Sequence, residues 1–145
     1  MDIFAHGNSI FEGMKEYVES QLLSTYPTLK IKKNVIQNAF PLIVFRQISR
    51  TALTETTRNE VIKNSTEFEI NIYCKNEIVN GVSKEPEEVL EDLVNVVIYY
   101  LQNKCRFSRI NLQTDLENFD NKNIKSKRAV IRWNVKCLQR YNSIL

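Results

Sequence analysis

The chain has 145 residues, 43% of them hydrophobic, with a net charge of +3. That length suits one compact domain burying roughly two-thirds of its unfolded surface, and so mild a charge is well short of a nucleic-acid binder's concentrated basic character. No apolar run approaches the roughly 18 residues of a spanning helix, and "MDIFAHGNSIFEGMKEY" has an early Asp2 and no apolar core. It reads as mature protein, expected to be soluble and made in the cytoplasm.

The first element spans about Asn8 to Ser24. Ile10, Phe11, Met14, Tyr17, Val18 and Leu22 recur at spacings of three and four, the stripe of an amphipathic helix. Asn8 or Ser9 is the expected N-cap, His6 lies before the helix, and Pro27 follows its end. "LKIKKNVIQ" has weak β character. "AFPLIVFRQI" holds a stronger strand around Leu42 to Ile48, whose continuous apolar run predicts burial on both faces.

Ser49 to Ser65 is polar and Thr-rich, and "TEFEINIYCK" follows it. There Phe68, Ile70, Ile72 and Cys74 alternate with Glu67, Glu69, Asn71 and Tyr73, predicting one buried and one wet face. Together these segments predict a long hairpin whose polar end, about residues 49–65, projects as an arm.

Asn80-Gly81 marks a turn, and Pro86 opens a helix with Glu87 and Glu88 near the positive end of its dipole. Val89, Leu90, Leu93, Val96, Val97, Tyr100 and Leu101 keep helical spacing to about Lys104, with Lys104 and Arg106 at the negative end. Strands are expected near Phe107 to Thr114 and Lys127 to Tyr141, with "DLENFDNKNIKS" a loop between them. In the last strand Ala129, Ile131, Trp133, Val135 and Cys137 face one way and Arg128, Arg132, Asn134 and Lys136 the other, Val130 being an apolar exception. The order predicts an α+β fold: a mostly antiparallel sheet of four to five strands with two main helices on one face.

Chemistry is hard to find. There is one His, no CxxC, and three glycines that form neither GxGxxG nor GxxxxGK[ST]. Cys74, Cys105 and Cys137 are odd in number and far apart, which fits buried thiols in a reducing compartment better than disulfides or a metal cluster. Glu85, Glu87, Glu88, Glu91 and Asp92 read either as a cation site or as the exposed start of a helix. The basic run Lys122, Lys125, Lys127, Arg128, Arg132, Lys136 and Arg140 could follow a phosphate backbone, or stand opposite Glu67 and Glu69 on a polar sheet face. No catalytic, cofactor or metal residue is assigned, and an interaction protein is the expectation.

The order of an amphipathic N-terminal helix, "FPLIVFRQ", a polar excursion, "FEINIYCKN", a helix, "RFSRIN" and a closing "KRAVIRWNVKCLQ" resembles the tail terminator (tail completion) proteins of long-tailed bacteriophages and related prophage particles. The likeness covers nearly the whole chain. It implies a non-enzymatic virion subunit at the head-proximal end of the tail, assembled in the host cytoplasm. Such subunits form a homohexameric ring that caps the tail tube, halts its polymerisation and docks to the head connector, while DNA passes through without specific binding. Head-completion and neck subunits share much of the outline, and a small nucleic-acid-binding module built on the basic strand is the other alternative. The residues expected at assembly surfaces are Arg46 of the Leu42–Ile48 strand, Arg50, Thr54, Glu55, Arg58 and Glu60 of the arm, and Glu67, Glu69, Arg128, Arg132 and Lys136 of the charged sheet face.

Overall fold

The computed structural model describes residues 3–37, 39–55, 61–117 and 126–140, with side chains for 8–37, 39–48, 65–114 and 126–135. The fold is α+β. Its elements are α1 (Ile3–Leu22), β1 (Lys30–Lys33), β2 (Leu42–Glu55), β3 (Val61–Lys75), β4 (Glu77–Val79), β5 (Val82–Lys84), α2 (Pro86–Tyr99) continued by a π-turn over Tyr100–Lys104, β6 (Asn111–Glu117) and β7 (Ser126–Arg140). The main sheet has the order β1-β2-β3-β7-β6. Among the described residues, only the β1–β2 pair is parallel.

Both helices pack on one face of this sheet. Ile10, Phe11, Met14, Val18 and Leu22 of α1 and Val89, Leu90, Leu93, Val94 and Val97 of α2 bury together with Ile43, Phe45, Phe68, Ile70, Ile72, Cys74, Ala129, Ile131, Trp133 and Val135. A run of rings, Phe11, Phe45, Phe68 and Trp133, crosses this core with successive centroids 5.6–5.7 Å apart, the tilted and offset spacing that aromatic quadrupoles favour. Leu42, Ile43, Val44 and Phe45 are all buried, so the expected two-faced burial of this strand is what the sheet contains.

Several boundaries differ from expectation. α1 begins by Ile3, so neither Asn8 nor Ser9 caps it and His6 lies inside it. Asn8 instead accepts a hydrogen bond from Lys33 Nζ, joining the helix to β1. The helical run from Pro86 changes to π geometry at Tyr100, and Arg106 and Arg109 adopt positive φ, which delays the next strand from Phe107 to Asn111. That strand continues to Glu117, into the stretch expected to be loop. Asn80 and Gly81 both have positive φ, and this turn joins the β4–β5 hairpin, as a two-residue connection of that hand does.

The largest difference concerns the arm. The polar excursion is itself strand, with β2 running to Glu55 and β3 starting at Val61. β7 accompanies β3 along its whole length, from Lys75↔Ser126 to Val61↔Arg140. The expected β2–β3 hairpin is present, and β7 makes the arm three strands wide among the described residues. Two separated strands are marginal in water, whereas a third supplies ladder partners on both sides of the middle one. β2 carries register shifts between Gln47 and Ser49 and between Ala52 and Thr54, irregularities of the kind that bend and twist a long ribbon.

Candidate assembly surface

On the face of the sheet turned away from the helices, Arg46, Glu69, Arg132 and Asn111 form one row across β2, β3, β7 and β6. Arg132 Nε donates to Glu69 Oε2 at 2.7 Å, Asn71 Nδ2 donates to Glu69 Oε1 at 2.6 Å, and Arg46 Nη1 lies 4.0 Å from the same Oε1. The Glu69 side chain is only 7% exposed, while those of Arg46 and Arg132 are about half exposed. Burial alone would raise the Glu69 pKa. The hydrogen bonds from Asn71 and Arg132 and the charges of Arg132 and Arg46 outweigh it and hold the carboxyl below its ordinary value.

This corrects the expectation of a wet face. Glu69 and Asn71 are buried, because β3 is the middle strand and long side chains from both neighbours lie beside the carboxylate. Glu67, half-buried, stands opposite Ser49 and Asn134 instead of a cation. Arg128 is opposite Tyr73 and separated from Arg132 by the buried Val130, and its Nε is buried without a hydrogen-bond partner. Lys127 Nζ approaches Glu87 Oε1 at 3.9 Å. The basic row is thus partly neutralised within the chain.

Arg50, Thr54 and Glu55 fall in the far half of β2, opposite Thr66, Lys63 and Ile62, and Lys136 falls in β7 opposite Ser65. The backbone places all four on the extension, away from the Arg46–Glu69–Arg132 row. Arg58, Glu60, Lys122 and Lys125 lie outside the described residues.

The extension has a further property. β1 pairs with β2 only as far as Phe45, and β6 pairs with β7 only as far as Arg132. Beyond that level, among the described residues, the outer edge of β2 from Arg46 to Glu55 and that of β7 from Trp133 to Arg140 have no strand beside them. Unpaired N–H and C=O groups along such edges are templates for another strand.

Two features escaped the sequence reading. One is the loop after β1, where Val35 and Ile36 are 46% and 65% exposed. The signal was present in "KKNVIQN", two aliphatic residues between Asn and Gln with no periodicity to bury them. The other is a groove of about 290 Å³ between α2 and β6, lined by Glu87, Leu90, Glu91, Val94, Leu112 and Thr114 among others. It joins residues distant in sequence, so no local pattern could reveal it.

The acidic start of α2 does other work. Asp92 accepts a hydrogen bond from Tyr26 Oη at 2.6 Å and pairs with Lys84 Nζ at 3.0 Å, tying the segment after α1 and strand β5 to the helix. Burial and this hydrogen bond push the Tyr26 hydroxyl pKa upward. Among the described residues, no three His, Cys, Asp or Glu side chains gather as metal ligands, and no helix is long and apolar enough to cross a membrane. Cys74 is buried, and burial raises its thiol pKa; Cys105, expected to be buried, is only half-buried beside Tyr100. The Cys137 side chain is outside the described residues. No protein-family model matches the chain, and no curated protein is similar to it.

Proposed function

We propose that this chain is a structural subunit of a long-tailed phage or prophage-derived particle. It acts as a tail terminator, six copies closing into a ring on the finished tail tube, halting its growth and offering the head connector a docking surface at the head-proximal end. The observation that carries this reading is the three-stranded extension with, among the described residues, an open edge on each flank. The two flanks of the whole sheet end in different strands, β1 and β6, so contacts between the flanks of successive copies are heterologous, and heterologous contacts generate rings when the rotation closes. Open edges also allow a strand of another protein to add by backbone pairing, the kind of contact a cap needs with its tube.

The basic strand supports a nucleic-acid role less well. Arg132 is bound to Glu69 and Lys127 lies near Glu87, so phosphate would have to compete with a carboxylate already in place.

Mass photometry and negative-stain imaging, across protein concentrations and with purified tail tubes, test the proposal. The expected result is a ring mass of six 17.0 kDa chains and tubes capped at one end. Monomers under every condition with uncapped tubes would overturn it. Removing residues 52–63 together with β7 after Lys136 trims all three strands of the extension together; this variant is expected to fold but fail to cap.

A further inference from the structure

We infer that neighbouring copies in the ring join by seating the Val35–Ile36 loop of one subunit in the α2–β6 groove of the next. The inference rests on the ring reading and specifies its lateral junction.

The two features stand on opposite edges of the sheet, since β1 is its first strand and β6 its last. They also meet one row of the sheet. Lys33, Phe45, Ile70, Ile131 and Leu112 form one continuous row across all five strands, so the end of β1, where the loop begins, is level with Leu112 at the groove. A closed cyclic ring has no rise from copy to copy, so for an axis along the strands the patches that meet must be level. A second copy placed edge to edge therefore sets the start of the Val35–Ile36 loop level with Leu112 of the groove.

The surfaces are complementary in chemistry. Val35 and Ile36 are exposed aliphatics, and the groove supplies the 40% exposed Leu112 above a floor of buried Leu90 and Val94. The loop follows Lys30 and Lys32, while Glu91 lines the groove beside Glu87, which already faces Lys127. Lysines on an edge strand discourage backbone pairing, so this junction is made by side chains. It also leaves β1 and β6 between the extensions of adjacent copies, which then stand at least two strand widths apart, about 10 Å. Their open edges stay free for the tube.

Full-length chain with Cys105→Ser and Cys137→Ser, carrying both Ile36→Cys and Leu112→Cys and oxidised under ring-forming conditions, is expected to give a ladder of covalent multimers ending at the ring number, with either single introduced cysteine giving no ladder. In parallel, Ile36→Asp is expected to lose the ring, while Ile78→Asp, at a 74% exposed position on the β4–β5 hairpin, keeps it. Wild-type rings with no ladder from the double variant, or equal behaviour of the two Asp variants, overturn the junction and leave the ring reading standing. Wild-type monomers under all conditions overturn both.

Discussion

Arg132 Nε sits 2.7 Å from Glu69 Oε2 across the β3–β7 ladder, 63 residues apart in sequence. The carboxylate is buried and its pKa is depressed, so its contribution to stability is present above the ordinary carboxyl pKa and is lost as pH falls through the depressed one. Glu69→Gln keeps the shape and removes the charge facing two guanidiniums. At neutral pH it should destabilise by about 1–3 kcal/mol, read from denaturant midpoints. The gap between variant and wild type should close in acid, where the wild-type carboxyl is protonated.

Glu77 should behave in the opposite sense. Its Oε1 is buried without a hydrogen-bond partner and burial raises its pKa, against a lesser lowering by Lys75. A raised folded pKa favours the protonated form, so this contribution is full in acid and lost as pH rises through the folded pKa. Glu77→Gln is expected to raise the melting temperature at neutral pH and to have little effect in acid. A variant less stable than wild type at neutral pH would contradict this.

Thr66 is fully buried, and its Oγ1 has no hydrogen-bond partner. Its hydroxyl was desolvated on folding without compensation, at a cost of about 1–3 kcal/mol. Thr66→Val replaces that oxygen with a methyl of similar size on a strand that favours β-branched residues. Equilibrium unfolding should show a gain of roughly 1 kcal/mol.

Gly13 is required by a close approach. A Cβ there would overlap Tyr100 Oη, and Tyr100 is held by stacking on Tyr17 at 5.7 Å. Burial and a hydrogen bond with Cys105 push the Tyr100 pKa up to about 12. Alanine would gain about 1 kcal/mol of helix propensity, but the overlap should dominate, and Gly13→Ala is expected to destabilise by about 1–3 kcal/mol. Tyr100→Phe in the same chain removes the offending oxygen and should recover most of the loss. Failure to recover would place the strain elsewhere.

The sequence by itself determined the parts whose signal is local. Stripes at three and four residues marked both helices, because one face of each must be buried. The alternation from Phe68 to Cys74 marked β3, and the unbroken Leu42–Phe45 run marked a strand covered on both faces. It also named Arg46, Glu69 and Arg132, which the fold brings into one row.

What only the tertiary structure decided is non-local. Period two says which residues share a face but not which strand lies beside it, so a carboxylate read as solvated became buried between two arginines. For the same reason the polar excursion, read as a hairpin, gained β7 as its third strand, since a ladder is chosen by pairing between distant segments and not by the composition of either. That Leu112 at the α2–β6 groove shares a row with Lys33 at the end of β1 follows from strand order and register alone. Those are set when the whole apolar face is buried at once.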